Sequence, residues 1–258
     1  MVRTLNIKRY SDAGFLEVED SLIQEYRVNI FVNDEAYISL MCLPEHYEEL
    51  AVGFLFSEQV IGSYEDIVEI NSTCTGNVFV SVKNERIGTG LKKAKNRVVV
   101  SGCGQGSVNL SFLNEENLPA LDSSIKVAPS EILKIMVEFS KQSQLFQKTG
   151  GVHSSALVLG EGENLFYEDI GRHNAIDKIV GTALIKGLSI ENGILLTSGR
   201  ISSEILIKTA KLGIPVLVSH SAPTDMAVEI ARKIDMTLIG FTRGTRFNVY
   251  SGDFRLLA

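Results

Sequence analysis

The chain has 258 residues, 45% of them hydrophobic and 22% charged, with no Trp and five Pro, which is the composition of a folded protein of one or two domains and excludes a disordered chain. A formal net charge of −6 argues against general binding to nucleic acid or to an anionic membrane. The opening residues MVRTLNIKRYSDAG lack the apolar run of a signal peptide, and no stretch approaches the roughly 18 apolar residues of a membrane span, so a cytoplasmic protein is expected.

The first half reads as strands interrupted by one helix. YRVNIFVNDEAYISLM places two apolar runs around Asn33 and Asp34, the signature of a hairpin. LPEHYEELAVGFLFSEQVIG has Pro44 and acidic residues at a helix start, Leu50 and Phe54 at helical spacing, and Gly62 as a stop. NVFVSV and NRVVVSG are further strands. Residues 114–130, NEENLPALDSSIKVAPS, are polar and hold two prolines, and mark a boundary between a smaller, strand-rich α+β domain over 1–125 and a second domain over 126–258.

The second half changes rhythm. Ser130 is placed to cap a helix over 131–146, whose Ile132, Ile135, Met136 and Phe139 recur at helical spacing. GVHSSALVLGEGENLFYEDIG is a hairpin around a polar turn. HNAIDKIVGTALIKG is a helix ended by Gly187, GILLTSG a strand, and SSEILIKTAKLG a helix ended by Gly213. IPVLVS, APTDMAVEIARKID and MTLIGF add strand, helix and strand, with NVYSG as a possible extension. This order implies an α/β sheet, parallel over those last three strands and covered by helices on both faces.

In such a sheet the loops leaving the C-terminal strand ends open on one edge, where ligands bind. Here they are TSGRIS, SHSAPT and FTRGTR, with EDIGRHN before them. They gather Ser198, Gly199, Arg200, His220, Arg243, Gly244, Arg246, Arg172 and His173. Helix N-termini and guanidiniums both favour phosphates. The same residues would also suit solvated polar loops, and glycine beside arginine in three of the four loops favours the ligand reading. His153 and His173 are candidate acid/base groups. Asp169 and Asp177, flanking the loop of Arg172, are candidates to orient that arginine or to cap a helix.

Three cysteines, Cys42, Cys74 and Cys103, are widely spaced and form no metal-like cluster or disulfide framework. Cys42 in SLMCLP belongs to the core, and Cys74 in NSTCTGN to a turn. Cys103 stands in VVVSGCGQGSVNL, among glycines that give a thiol access and freedom to reach two partners. No basic residue lies beside it in sequence to lower its pKa, so its reactivity depends on tertiary neighbours.

TGGVHSSAL, EDIGRHNAIDKIVG, LTSGRISSEILIKTAKLGIPVLVSHSAPTDMAVEIA and GFTRGTRFNVYSG, with LPEHYEELAVGFLFSEQVIG in the first half, resemble the FdhD/NarQ family of formate dehydrogenase accessory proteins. The resemblance implies a cytidine deaminase-like three-layer α/β/α fold for the C-terminal domain. It implies a sulfur carrier that accepts sulfur from a cysteine desulfurase as a Cys103 persulfide and delivers it to the molybdenum bis(molybdopterin guanine dinucleotide) of a formate dehydrogenase catalytic subunit. By that resemblance the cofactor is a bound substrate, the protein holds no metal of its own, and it forms a homodimer. The cofactor-contacting segment falls on Phe241, Thr242, Arg243, Gly244, Thr245 and Arg246. Arg243 and Arg246 are assigned to the phosphates, and Ser198, Gly199, Arg200, Arg172 and His173 are secondary contacts. The family usually carries C-x-x-C where this chain has CGQG, so Gly106 stands in for the second cysteine.

Two other functions compete with that reading. A zinc deaminase needs H-x-E or C-x-E followed by P-C-x-x-C; VHSS lacks the glutamate, and no later cysteine pair exists to hold zinc. A chaperone that binds the cofactor or the apoenzyme without carrying sulfur would tolerate the loss of Cys103.

Overall fold

The computed structural model describes residues 1–83, 97–99, 118, 120–121, 124–160 and 163–257. Among them no helix is long and apolar enough to cross a membrane.

The chain opens with an element the sequence reading left unassigned. β1 (Val2–Ser11) and β2 (Gly14–Ile23) form an antiparallel ribbon, paired from Val2↔Ile23 to Ser11↔Gly14. The register sets Leu5, Ile7, Leu16, Val18 and Leu22 on one face.

β3 (Tyr26–Val32) and β4 (Glu35–Cys42) make the expected hairpin, with Asn33 and Asp34 at φ 47° and 66°. Positive φ at both turn residues matches the twist of the flanking strands, and Asn and Asp tolerate it better than most residues. β5 (Ile67–Ser72), β6 (Asn77–Val82) and β7 (Arg97–Val99) complete a sheet of order β5-β6-β3-β4-β7. α1 (Tyr47–Ser57) ends well before Gly62, because the chain turns at Gln59, which has φ 59°.

The second sheet has the order β13-β12-β11-β10-β8-β9, built from β8 (His153–Val158), β9 (Leu165–Asp169), β10 (Ile194–Thr197), β11 (Val216–Ser219), β12 (Thr237–Arg243) and β13 (Arg246–Ser251). β10, β11 and β12 are parallel, as the alternation of strand and helix predicts, while β8 and β13 run antiparallel to their neighbours. α4 (Arg172–Lys186), α5 (Ser203–Lys211) and α6 (Asp225–Lys233) pack on one face against Leu157, Leu195, Leu217 and Leu238. α2 (Pro129–Gln142) covers the other face against Ala156, Leu196, Val218 and Ile239. Burial of these aliphatic side chains on both faces explains why the strands read as unbroken apolar runs.

Two helix boundaries differ from the sequence reading. α2 starts from Ala128 with Pro129 as its first residue, so Ser130 lies inside the helix and does not cap it. Proline fits that position because its missing N–H would have no helical partner. The helix also breaks at Ser143 before α3 (Gln144–Thr149), and Ser143 Oγ bonds to the Phe139 carbonyl (3.4 Å) and to Ser154 Oγ on β8 (2.8 Å).

α1 crosses α4 backbone to backbone. A Cβ on Gly53 would stand 1.8 Å from the Asp177 carbonyl oxygen, and one on Gly181 would stand 1.8 Å from the Glu49 carbonyl oxygen. The opposite side of α1 packs into the first sheet through Leu50, Val52 and Leu55, so the helix is buried nearly all round.

Candidate functional site

The C-terminal ends of β9, β10, β11 and β12 and the start of β8 share one edge of the second sheet. It carries two centres. The first is made by His153, Arg172, His173, Ser198, Gly199 and Arg200. Ser198 Oγ accepts from the Ser154 N–H (3.0 Å) and lies 3.3 Å from His153 Nδ1. The Gly199 N–H donates to Thr197 Oγ1 (3.3 Å), and the Gly199 carbonyl accepts from Ser219 Oγ (2.7 Å). These bonds fix the TSGR loop on its strand ends.

The centre is cationic and partly buried. Burial, then the charge of Arg200, lowers the pKa of Arg172, and Arg172 Nε is buried with no hydrogen-bond partner. Burial, then Arg172, lowers that of His153. His173 falls well below the ordinary histidine value, through burial first and then Lys208, Arg172 and His153. His173 Nε2 is 3.5 Å from Glu204 Oε2, whose own pKa is raised by burial. Glu204 is a member of the centre that sequence reading did not single out; its place in the first turn of a helix after a glycine–arginine loop was the available signal.

Asp169 and Asp177 do not orient Arg172. Asp169 pairs with Lys178 at 2.7 Å, both side chains buried, and accepts from the Leu43 and Gly171 N–H groups and from Asn174 Nδ2. Asn174 Nδ2 also donates to the Met41 carbonyl (2.8 Å). Asp177 lies inside α4, where burial raises its pKa against the opposing charge of Lys208, 2.8 Å away, and the hydroxyl of Ser57. Both carboxylates are structural, tying the end of β4 and the helix α1 to α4.

The second centre is the tip of the β12–β13 hairpin. FTRGTR is therefore not a loop leading to a helix: Thr242 and Arg243 belong to β12, Gly244 turns at φ 56°, and Arg246 opens β13. Arg243 and Arg246 are register partners, and Phe241, Arg243, Gly244, Thr245 and Arg246 are exposed. Phe241 has φ 51°, and its N–H donates to the Ser221 carbonyl (3.1 Å). Thr242 is buried, and its Oγ1 has no partner. Beside this tip runs a cleft of about 300 Å³, lined by Met136, Ser140 and Lys141 of α2, by Gln147, and by His220, Thr242, Arg243 and Gly244. His220 Nδ1–H donates to the Thr242 carbonyl (2.8 Å), and its Nε2 meets Ser140 Oγ at 2.8 Å. The contribution of α2 was invisible in the sequence, where that helix reads only as a cover for the sheet.

The two centres meet at β11. The His220 N–H donates to the Thr197 carbonyl (3.3 Å), so the loop after β11 touches both. Of the residues singled out in sequence, Cys103 and Gly106 lie outside the described residues. Cys42 is buried, and burial pushes its thiol up to about 12, while Cys74 is exposed in a turn. Among the described residues no group of three His, Cys, Asp or Glu side chains gathers that could hold a metal ion.

A model of the FdhD/NarQ family matches residues 23–257. The sulfur carrier protein FdhD of Listeria innocua is 39% identical over 261 residues, covering 99% of each chain. That of Bacillus subtilis is 37% identical over 252 residues, covering 97% of this chain and 96% of its own. A crystal structure from Desulfotalea psychrophila, described as a "putative formate dehydrogenase accessory protein", superposes with a TM-score of 0.79 at 26% identity, covering 99% of both chains.

Proposed function

The chain belongs to the FdhD/NarQ family, and on that premise we propose that it is a sulfur carrier serving a formate dehydrogenase. Cys103 takes sulfur from a cysteine desulfurase as a persulfide and passes it to molybdenum bis(molybdopterin guanine dinucleotide), bound as substrate. The observation that supports the substrate side is the facing pair Arg243 and Arg246, exposed beside the cleft at the sheet edge. Guanidiniums take phosphate oxygens in bidentate pairs, and two of them from opposite strands suit a pyrophosphate. Phe241, Thr242, Gly244 and Thr245 complete that contact segment. The second sheet, with α2 on one face and α4, α5 and α6 on the other, is consistent with a cytidine deaminase-like domain.

The transfer needs one nucleophile at each stage. The Cys103 thiolate attacks the outer sulfur of the donor persulfide. The sulfur–sulfur bond of the donor breaks, and its cysteine leaves as thiolate. Delivery breaks the new sulfur–sulfur bond in turn, releasing the outer sulfur as sulfide and Cys103 as thiolate. The two electrons come from the metal, or from two external thiols that leave joined as a disulfide. Phosphate contacts at the hairpin tip position the substrate for this step and take no part in the bond changes.

Gly106, standing where the family carries a second cysteine, favours one other reading, that of a chaperone that holds the cofactor without carrying sulfur. Complementation separates the two. In cells lacking this protein, the native chain restores formate dehydrogenase activity under both readings, and Cys103→Ser restores it only under the chaperone reading. The donor desulfurase, the recipient catalytic subunit and a homodimer are parts of the same proposal.

A further inference from the structure

We propose that the apolar face of the β1–β2 ribbon is the surface on which a second copy of this chain docks, the two ribbons packing face to face about a two-fold axis at the Ile7–Val18 pair. This gives the homodimer proposed above its surface, and it rests on that part of the proposal.

Strand alternation divides the ribbon into two faces of opposite character. One carries the cross-strand pairs Thr4–Ser21, Asn6–Glu19 and Lys8–Glu17, all polar. The other carries Arg3–Leu22, Leu5–Asp20, Ile7–Val18 and Arg9–Leu16. In antiparallel sheets this contrast marks one face for water and one for burial. The second face is not covered by its own chain: Leu5, Leu16 and Leu22 are exposed, Leu16 by 54%, and no ribbon residue joins the three buried clusters. The ribbon meets the rest of the chain at its base, where β2 packs against α3 and Ile23 lies against Gly151. A two-stranded ribbon without cover is marginal in water, yet this one is paired over the whole length of β1, from Val2 to Ser11.

Charge selects the occupant. Arg9 and Asp20 stand one row to either side of the Ile7–Val18 pair, on opposite strands, and neither is in a salt bridge among the described residues. A two-fold axis through that pair, perpendicular to the strands, sets Ile7 and Val18 on their own counterparts. It also brings Arg9 into the row of the second copy's Asp20, and by symmetry does so twice. Turning the second ribbon so that equal rows meet would instead bring Arg9 to Arg9 and Asp20 to Asp20, which repel. Moving the axis to a neighbouring row breaks both pairs. The face therefore fits itself in one register, a property that docking to an unrelated protein does not require. Its narrow width places the association at the weak end of specific interfaces, with monomer and dimer in exchange at micromolar concentration.

The test is sedimentation velocity on the full chain across the micromolar range. The native chain is expected to pass from monomer to dimer as its concentration rises. Arg9→Asp and Asp20→Arg should each weaken dimerisation about tenfold or more, because each leaves like charges opposed. Mixed in equal amounts the two variants should recover it, since one copy then carries two acidic groups on this face and the other two basic ones. Neither a contact elsewhere on the molecule nor a loss of folding produces that recovery. Leu16→Glu, at an exposed position where thermal unfolding should be unaffected, is also expected to weaken the dimer. Dimerisation as tight in all three variants as in the native chain, or no recovery in the mixture, overturns the proposal. So does a native chain that stays monomeric; if Leu16→Glu then lowers its affinity for the formate dehydrogenase subunit, the face belongs to that partner. Sulfur uptake by Cys103 is read separately by mass, so a chain that fails here and still gains sulfur loses this interface and keeps the carrier function. One that dimerises through the ribbon and gains no sulfur keeps the interface alone.

Discussion

Arg243 and Arg246 face each other across the tip of the β12–β13 hairpin, two like charges held in register by a single turn at Gly244. Directly opposed like charges on a hairpin are unfavourable unless an anion joins them. Each single change to alanine is therefore expected to leave the unfolding midpoint nearly unchanged or slightly raised, and to weaken guanosine diphosphate by about tenfold, as loss of a charge-assisted contact worth ~1.5–3 kcal/mol would. Calorimetric titration beside thermal unfolding of the same samples checks both halves. Unchanged affinity in both variants counts against the assigned phosphate contacts.

Gly53→Ala puts a methyl group where the Asp177 carbonyl oxygen already stands. The backbones of α1 and α4 must separate to admit it, which is expected to cost ~3 kcal/mol or more, at the upper end of overpacking. Urea unfolding of Gly53→Ala and Gly181→Ala should show large drops in midpoint for both. A drop below ~0.5 kcal/mol would mean that the two helices do not cross as closely as described.

The Asp169–Lys178 pair is buried at 2.7 Å, so removing one partner strands the other charge. Lys178→Met is expected to destabilise the fold by ~3–5 kcal/mol, and the double change with Asp169→Asn to recover much of that. Because Asn keeps a carbonyl oxygen for the Gly171 and Asn174 donors, recovery isolates the charge from the hydrogen bonds. A double-mutant cycle without coupling would contradict the pairing.

Acidification should also weaken the fold through the first centre. His153 and His173 have lowered pKa values in the folded protein, below the ordinary 6.5. Below 6.5 the unfolded chain binds protons there that the folded chain does not, so stability is complete above that value and is lost as pH falls through it toward the folded values. Urea midpoints from pH 7.5 to about 5 should fall, and His173→Gln should flatten the slope by up to ~1.4 kcal/mol per pH unit. An unchanged slope in His173→Gln would show that His173 is not held neutral.

Much of this was legible in the sequence because its causes are local. Asn33 and Asp34 announce a two-residue turn, Gly187 and Gly213 sit just past helix ends, and the glycine–arginine loops lie where parallel strands must open. What was hidden depends on distant partners. Nothing near Gly53 in sequence reveals Asp177, and Asp169 reads as a loop carboxylate until Lys178 and Leu43 are folded onto it. Ser143 breaks a helix that periodicity alone would continue, because its backbone leaves the helical region where its hydroxyl meets Ser154. The ligand edge was visible as a set of loops, but its division into two centres follows from the hairpin geometry of FTRGTR and from the cover that α2 supplies through Ser140 and Lys141.

The most direct measurement of the central claim is the intact mass of the chain after incubation with a cysteine desulfurase and cysteine, for the native protein, Cys74→Ser and Cys103→Ser. Cys42, buried with its thiol pushed up to about 12, should take no part. The sulfur-carrier account predicts a gain of one sulfur atom, reversed by a thiol reductant, in the native chain and in Cys74→Ser but not in Cys103→Ser. No gain in the native chain with an active desulfurase, or an equal gain in Cys103→Ser, would contradict it.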